Sequence, residues 1–177
     1  MILSAATLRR LQPVQPFCER TVHRGMSYGL SLAGYDVRAL VPINVSICGL
    51  VPEMIRDPDH AGEDRKMVLG IRLPPGCFLR LPTVEKFNMP NNAVGIVHNK
   101  STWARRGLVI PSVVLEPGWH GHATLAFFNQ GPEVLTICTG DPIAQVVFHQ
   151  LDTDEGPGYS GKYQGQGQEP VGPRFET

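Results

Sequence analysis

Residues 98–129 read HNKSTWARRGLVIPSVVLEPGWHGHATLAFFN, and the punctuation of this stretch decides the fold. Its apolar runs, 108–110 and 123–128, are closed off by glycine, proline and asparagine, which is the signature of strands rather than helices. The pattern continues on both sides, with apolar runs at 45–50, 67–73, 78–81, 93–97, 134–138 and 143–148. Nineteen glycines and sixteen prolines are spread through the chain and keep each run short. A mainly β fold follows, a barrel or a double sheet. Ser4 caps a short predicted helix over residues 4–11, ended by Pro13 and Pro16. Residues 56–66 are charged and contain Pro58 and Gly62, so they are expected to form an exposed excursion. The same opening stretch also gathers chemistry. A polar, basic turn, Lys100-Ser101-Thr102 with Arg105-Arg106, precedes the turn Glu116-Pro117-Gly118-Trp119 and a strand. Cations, hydroxyls and a carboxylate within so short a span suggest a nucleotide site.

At 177 residues and 42% hydrophobic, the chain can bury one sizeable core. Sixteen basic residues balance sixteen acidic ones, so no broad field favours DNA, RNA or an anionic membrane, and any phosphate binding is local. Cys18, Cys48, Cys77 and Cys138 have no C-x-x-C spacing, which argues against a zinc knot and a disulfide framework. Reduced, mostly buried thiols are expected. The N-terminal segment is too short and too charged for a signal peptide or a membrane span, so a cytoplasmic protein is expected.

From Asp152 the apolar runs stop. Two organisations are open for the glycine-rich end: a disordered tail, or a segment 156–177 that orders over a ligand bound to a β domain of residues 1–155. In 161–166, flexible glycines alternate with a cation, an aromatic and amides. There Lys162 would meet phosphate and Tyr163 would pack on it.

Taken in order, the motifs resemble those of the dCTP deaminases. They are the opening Met-Ile-Leu-Ser, Ser27-Tyr28-Gly29-Leu30-Ser31 with Gly34-Tyr35-Asp36-Val37-Arg38, Lys100-Ser101-Thr102-Trp103-Ala104-Arg105 with Gly107, Glu116-Pro117-Gly118-Trp119, Ala144-Gln145, and Gly161-Lys162-Tyr163-Gln164-Gly165-Gln166. The resemblance runs nearly end to end. It implies a dUTPase-like distorted β-barrel or jelly roll (β-clip), assembled as a homotrimer or a hexamer with sites between subunits. It also implies a deaminase that hydrolyses dCTP to dUTP and ammonia for dTTP supply, without zinc. The sequence lacks the His/Cys set with a neighbouring glutamate that a zinc deaminase requires.

Metal-free deamination needs a carboxylate to carry protons between the attacking water and the leaving amine. The family's Thr-Leu-Glu strand supplies it, and the matching segment here is Thr124-Leu125-Ala126, so the carrier is replaced by a methyl group. By the same resemblance Ser101 orients the water and Arg105 favours the developing negative charge. Lys100, Ser101 and Thr102 meet phosphate, and Glu116 accepts from the 3′-hydroxyl. Val113, Val114, Tyr159, Lys162, Tyr163 and Gln166 complete nucleotide binding. Trp119 either packs the turn or stacks on the base. Gln145 either faces the triphosphate or is an ordinary edge amide. Mg²⁺ is expected on the phosphates, held through water. Pro111-Ser112 stands where relatives often carry Thr-Ala. Asp36 and Arg38 are expected to form structural ion pairing.

Three functions stay open: a dCTP deaminase inactivated by substitution at position 126, a nucleotide-binding regulator without turnover, or a dUTPase with Glu116 as base, acting alone or bifunctionally. dCTP, dUTP and dTTP are the expected ligands.

Overall fold

Short apolar runs become strands because alternate side chains can enter one core while the turn residues between them reverse the chain. The computed structural model describes residues 1–43, 47–57, 66–153 and 156–175. Helix α1 (Ala5–Leu11) begins at Ser4, whose hydroxyl accepts from the Thr7 backbone N–H at 3.4 Å, and it buries Leu8. The first strands are β1 (Val14–Gln15), β2 (Thr21–His23), β3 (Met26–Ser31), β4 (Gly34–Arg38) and β5 (Glu53–Arg56). Next come β6 (Met67–Leu73), β7 (Phe78–Asn88), β8 (Ala93–Asn99), the single-turn helix α2 (Ser101–Ala104), β9 (Leu108–Val109) and β10 (Val114–Leu115). The series closes with β11 (His120–Asn129), β12 (Leu135–Cys138) and β13 (Pro142–Gln150).

These strands form antiparallel sheets in the orders β1-β7-β11-β9, β10-β8-β13-β4-β3-β2 and β12-β6-β5. The mainly β fold with a short N-terminal helix is therefore as the sequence predicts. Along β11, Ala123, Leu125 and Phe127 enter the core while Thr124, Ala126 and Phe128 turn to the half-open face. Across the ladder Leu79 and Leu81 of β7 are fully buried.

Pro82 interrupts β7, since it has no N–H to give the ladder. Register with β11 jumps there, from His122 opposite Lys86 to Thr124 opposite Pro82. The Thr83 hydroxyl fills the gap, accepting from the Ala123 N–H at 3.0 Å and donating to the Glu85 carbonyl at 2.7 Å. The irregularity turns Glu85 fully inward, where its carboxylate accepts from the Arg38 backbone N–H at 2.8 Å and from Arg38 Nε at 2.7 Å. Burial pushes the Glu85 carboxyl above the usual carboxylate range, with the Arg38 bonds opposing it.

Several expectations need correction. Of the run 45–50, Val45 and Ser46 lie outside the described residues, and Ile47 with Leu50 makes an isolated bridge rather than a strand. Residues 58–65 of the charged excursion are likewise outside; at its ends Asp57 N–H donates to the Lys66 carbonyl at 3.0 Å. The cysteines are free, but only Cys138 is buried and Cys48 is exposed. Asp36 and Arg38 are both ion-paired, each to a different partner: Asp36 to Lys100 and Arg38 to Glu85. Strands β3 and β4 lie in a segment whose glycines mask its periodicity. Among the described residues no helix is long and apolar enough to cross a membrane.

Candidate functional site

Pro117-Gly118 sets a tight turn in which Trp119 N–H donates to the Glu116 carbonyl at 3.0 Å and Gly118 takes φ +73°. Trp119 is buried against Phe87, ring centroids 6.1 Å apart, and its indole N–H donates to the Tyr163 carbonyl at 2.7 Å. It therefore fixes the turn to the tail. Hydrogen bonds seat the tail on β11. His120 N–H donates to Gln164 Oε1 at 2.9 Å, and His122 N–H to the Gln166 carbonyl at 2.8 Å. Thr124 N–H donates to Gln166 Oε1 at 3.3 Å, and Val171 N–H to the Thr124 hydroxyl at 3.1 Å. Gly121 permits this approach, for a Cβ there would stand 2.6 Å from the Gln166 nitrogen. Gly121→Ala is accordingly expected to dislodge Gln166 and to speed amide exchange of residues 163–171 at least about tenfold, read by hydrogen–deuterium exchange.

Between turn, strand and tail lies a cavity of about 790 Å³, a size that suits a small-molecule ligand. Eight predicted site residues line it: Val113, Val114, Glu116, Trp119, Ala126, Tyr159, Tyr163 and Gln166. Phe78, Arg80, Leu115, Ala123, Thr124 and the tail residues 171–173 complete the wall. Tyr159 braces the tail by accepting from the Tyr163 N–H at 3.2 Å. Glu116 is the one carboxylate and Arg80 the one cation among the lining residues. No group of three or more His, Cys, Asp or Glu able to hold a metal occurs among the described residues.

Lys100, Ser101, Thr102, Arg105, Gln145 and Lys162 do not line this cavity. Trp103 explains the placement of the turn that holds four of them. It is buried, donates from its indole to the Pro142 carbonyl at 2.8 Å and stacks under Arg106. With Trp103 inward, Ser101, Thr102 and Arg105 face outward. Lys100 is buried, its ammonium 2.6 Å from Asp36 Oδ2, while Asp36 Oδ1 has no hydrogen-bond partner among the described residues. Gln145 reaches the Ser31 hydroxyl at 3.4 Å. Lys162 is exposed, its ammonium 5.8 Å from the Tyr163 ring centroid.

Arg80 belongs to the site although the motif reading does not single it out. The available signal is a cation inside the run Phe78-Leu79-Arg80-Leu81, where two-residue alternation puts it on the face of Phe78. Its cross-strand neighbour is not legible in the sequence, because the break at Pro82 shifts the register.

Residues 53–151 match the family model described as dCTP deaminase-like. The chain is 37% identical over 164 residues to the dCTP deaminase of Campylobacter fetus subsp. fetus, covering 88% of this chain and 86% of that protein. It is 36% identical over 162 residues to that of a Nitratiruptor species, covering 86% and 85%. The crystal structure of 2′-deoxycytidine 5′-triphosphate deaminase from Agrobacterium tumefaciens shares the fold, with a TM-score of 0.55 at 17% identity. That likeness covers 83% of this chain, which spans 46% of the Agrobacterium chain.

Proposed function

Because the chain belongs to the dCTP deaminase family, we propose that its cavity takes a pyrimidine deoxynucleoside triphosphate and that the protein holds this ligand without deaminating it. One observation carries the reading: the Glu116–Trp119 turn, the Thr124–Ala126 strand and the tail, three separate segments of the sequence, converge on one cavity.

In this reading Glu116 accepts from the sugar hydroxyl, and Tyr163 and Gln166 close the tail over the nucleotide. The pyrimidine ring lies toward position 126, with its C4 substituent nearest. Deamination adds a water oxygen to C4, moves a proton to the exocyclic amine and expels ammonia. Ala126 has no group that accepts or gives that proton. The exposed residues of the α2 turn, outside this cavity, suit a role on a neighbouring copy's cavity, so that a homotrimer joins Ser101, Thr102 and Arg105 of one subunit to the pocket of the next, with the buried Lys100–Asp36 pair behind them. There Ser101 would hold water and Arg105 would favour negative charge. One carboxylate is too little for an all-protein Mg²⁺ cage, whereas a triphosphate supplies oxygen ligands itself, so Mg²⁺ would enter with the nucleotide and be held by phosphate and water.

Calorimetric titration with dCTP, dUTP and dTTP in the presence of Mg²⁺, together with an ammonia assay on dCTP, tests the proposal. Association without ammonia release is expected. Ammonia produced by the unaltered chain would remove the assignment of the proton carrier, and absence of any association at millimolar nucleotide would remove the nucleotide itself.

A further inference from the structure

Arg80 stands directly across the β7–β11 ladder from Ala126, and paired residues of an antiparallel ladder project from the same face. Both line the cavity. Arg80 Nε is buried and bonds to no atom, and no ion pair reaches its guanidinium among the described residues. Gly172 of the tail closes over it, since a Cβ there would stand 3.3 Å from Nη1. A buried donor on a cation without an acceptor is costly, so the group is matched to something that enters the cavity. Its surroundings, Phe78, Ala126, Val171 and Pro173, resemble the setting of a flat ring more than a phosphate cradle of backbone amides.

We infer that Arg80 makes this pocket selective for pyrimidine nucleotides carrying a 4-oxo group, uracil or thymine, over those carrying a 4-amino group. The inference rests on the reading above, in which the ring faces position 126. Guanidinium is a donor only. A 4-oxo group presents acceptor lone pairs to it, whereas the 4-amino group of cytosine presents further N–H donors. At the C4 substituent cytosine therefore offers Arg80 no acceptor and sets its own amine facing a cation. Discrimination of this kind is strong, because the wrong ligand strands buried polar groups rather than merely losing a contact. The family's dCTP-directed pocket is in this way turned toward the product side of the reaction.

Titrating dUTP, dTTP and dCTP against the intact chain is expected to show the two 4-oxo nucleotides bound at least about tenfold more tightly, as for a hydrogen bond to a charged group. Arg80→Leu removes an unpartnered cation from a half-buried face and should fold; it is expected to bring the three affinities within about threefold of one another, and Arg80→Lys to lie between. dCTP bound by the intact chain as tightly as dUTP overturns the inference, whatever the variants do. A uniform loss for all three nucleotides in Arg80→Leu, with their order unchanged, also overturns it and places the guanidinium on phosphate. Failure of every nucleotide to bind the intact chain is a different result, which ends the nucleotide reading on which the inference stands.

Discussion

Ala126→Glu combined with Arg80→Leu is expected to release ammonia from dCTP at least ~10² faster than the unaltered chain, the lower end of what a positioned general acid and base contributes. Position 126 lies on the half-open face of β11 and lines the cavity, so a carboxylate there would reach into the cavity rather than into the core. The second substitution matters because Arg80 is the direct cross-strand partner. A glutamate introduced at position 126 by itself would be drawn into an ion pair, and a guanidinium at that distance holds a carboxylate ionised well below its ordinary range. Such a group is a poor carrier of protons at neutral pH. Ala126→Glu alone should therefore gain less than the pair of changes, and Arg105→Ala added to the pair should abolish the gain. The measurement is single-turnover ammonia release at saturating dCTP. A double variant that binds dCTP but is no faster than the unaltered chain would show that the cavity does not present C4 to position 126.

Arg38→Met should lower stability by about 3–5 kcal/mol at neutral pH, as for breaking a buried ion pair on one side. For a chain of this size that is a fall in Tm of roughly 6–20 °C. Glu85 is fully buried, and Arg38 supplies both a backbone and a side-chain donor to it; methionine keeps the first and removes the second. The pH dependence has a definite sign. Burial already raises the Glu85 carboxyl above its ordinary value. The folded chain therefore binds that proton more tightly than the unfolded chain, and stability from this group is lost as pH rises through the folded value. Without Arg38 the folded value climbs further, so the loss extends to higher pH. Thermal unfolding should show the variant nearest to the unaltered chain around the ordinary glutamate value of about 4.3 and farthest from it near neutrality. A difference in Tm that is flat across this range would mean that Glu85 is neutral in both proteins.

What the sequence yields and what it withholds divide along physical lines. Ser4 caps α1 because capping is local, and Met67–Leu73 is a strand with the expected bounds because its apolar run ends at a proline. The turn at Pro117-Gly118 is local in the same way, and Glu116, Ala126, Tyr163 and Gln166, which the motifs single out, line one cavity. Strand pairing is not local, and that is where reading the sequence stops. Arg80 becomes the neighbour of Ala126 only through a ladder whose register slips at Pro82, and Lys100 finds Asp36 from 64 residues away. The tail stays open between disorder and closure in the sequence because its composition offers no core face. Its order comes from backbone donors on β11 and from close approach at Gly121, neither of which composition reveals.

Strand β9 pairs with only the last two residues of β11, at Phe128 and Asn129. The N–H groups of His122 and Thr124 would otherwise form a bare strand edge, and Gln166 of the tail satisfies both. Unprotected edges of this sort recruit other chains and seed aggregates. The segment that closes the cavity is thus also a guard against edge-to-edge strand aggregation.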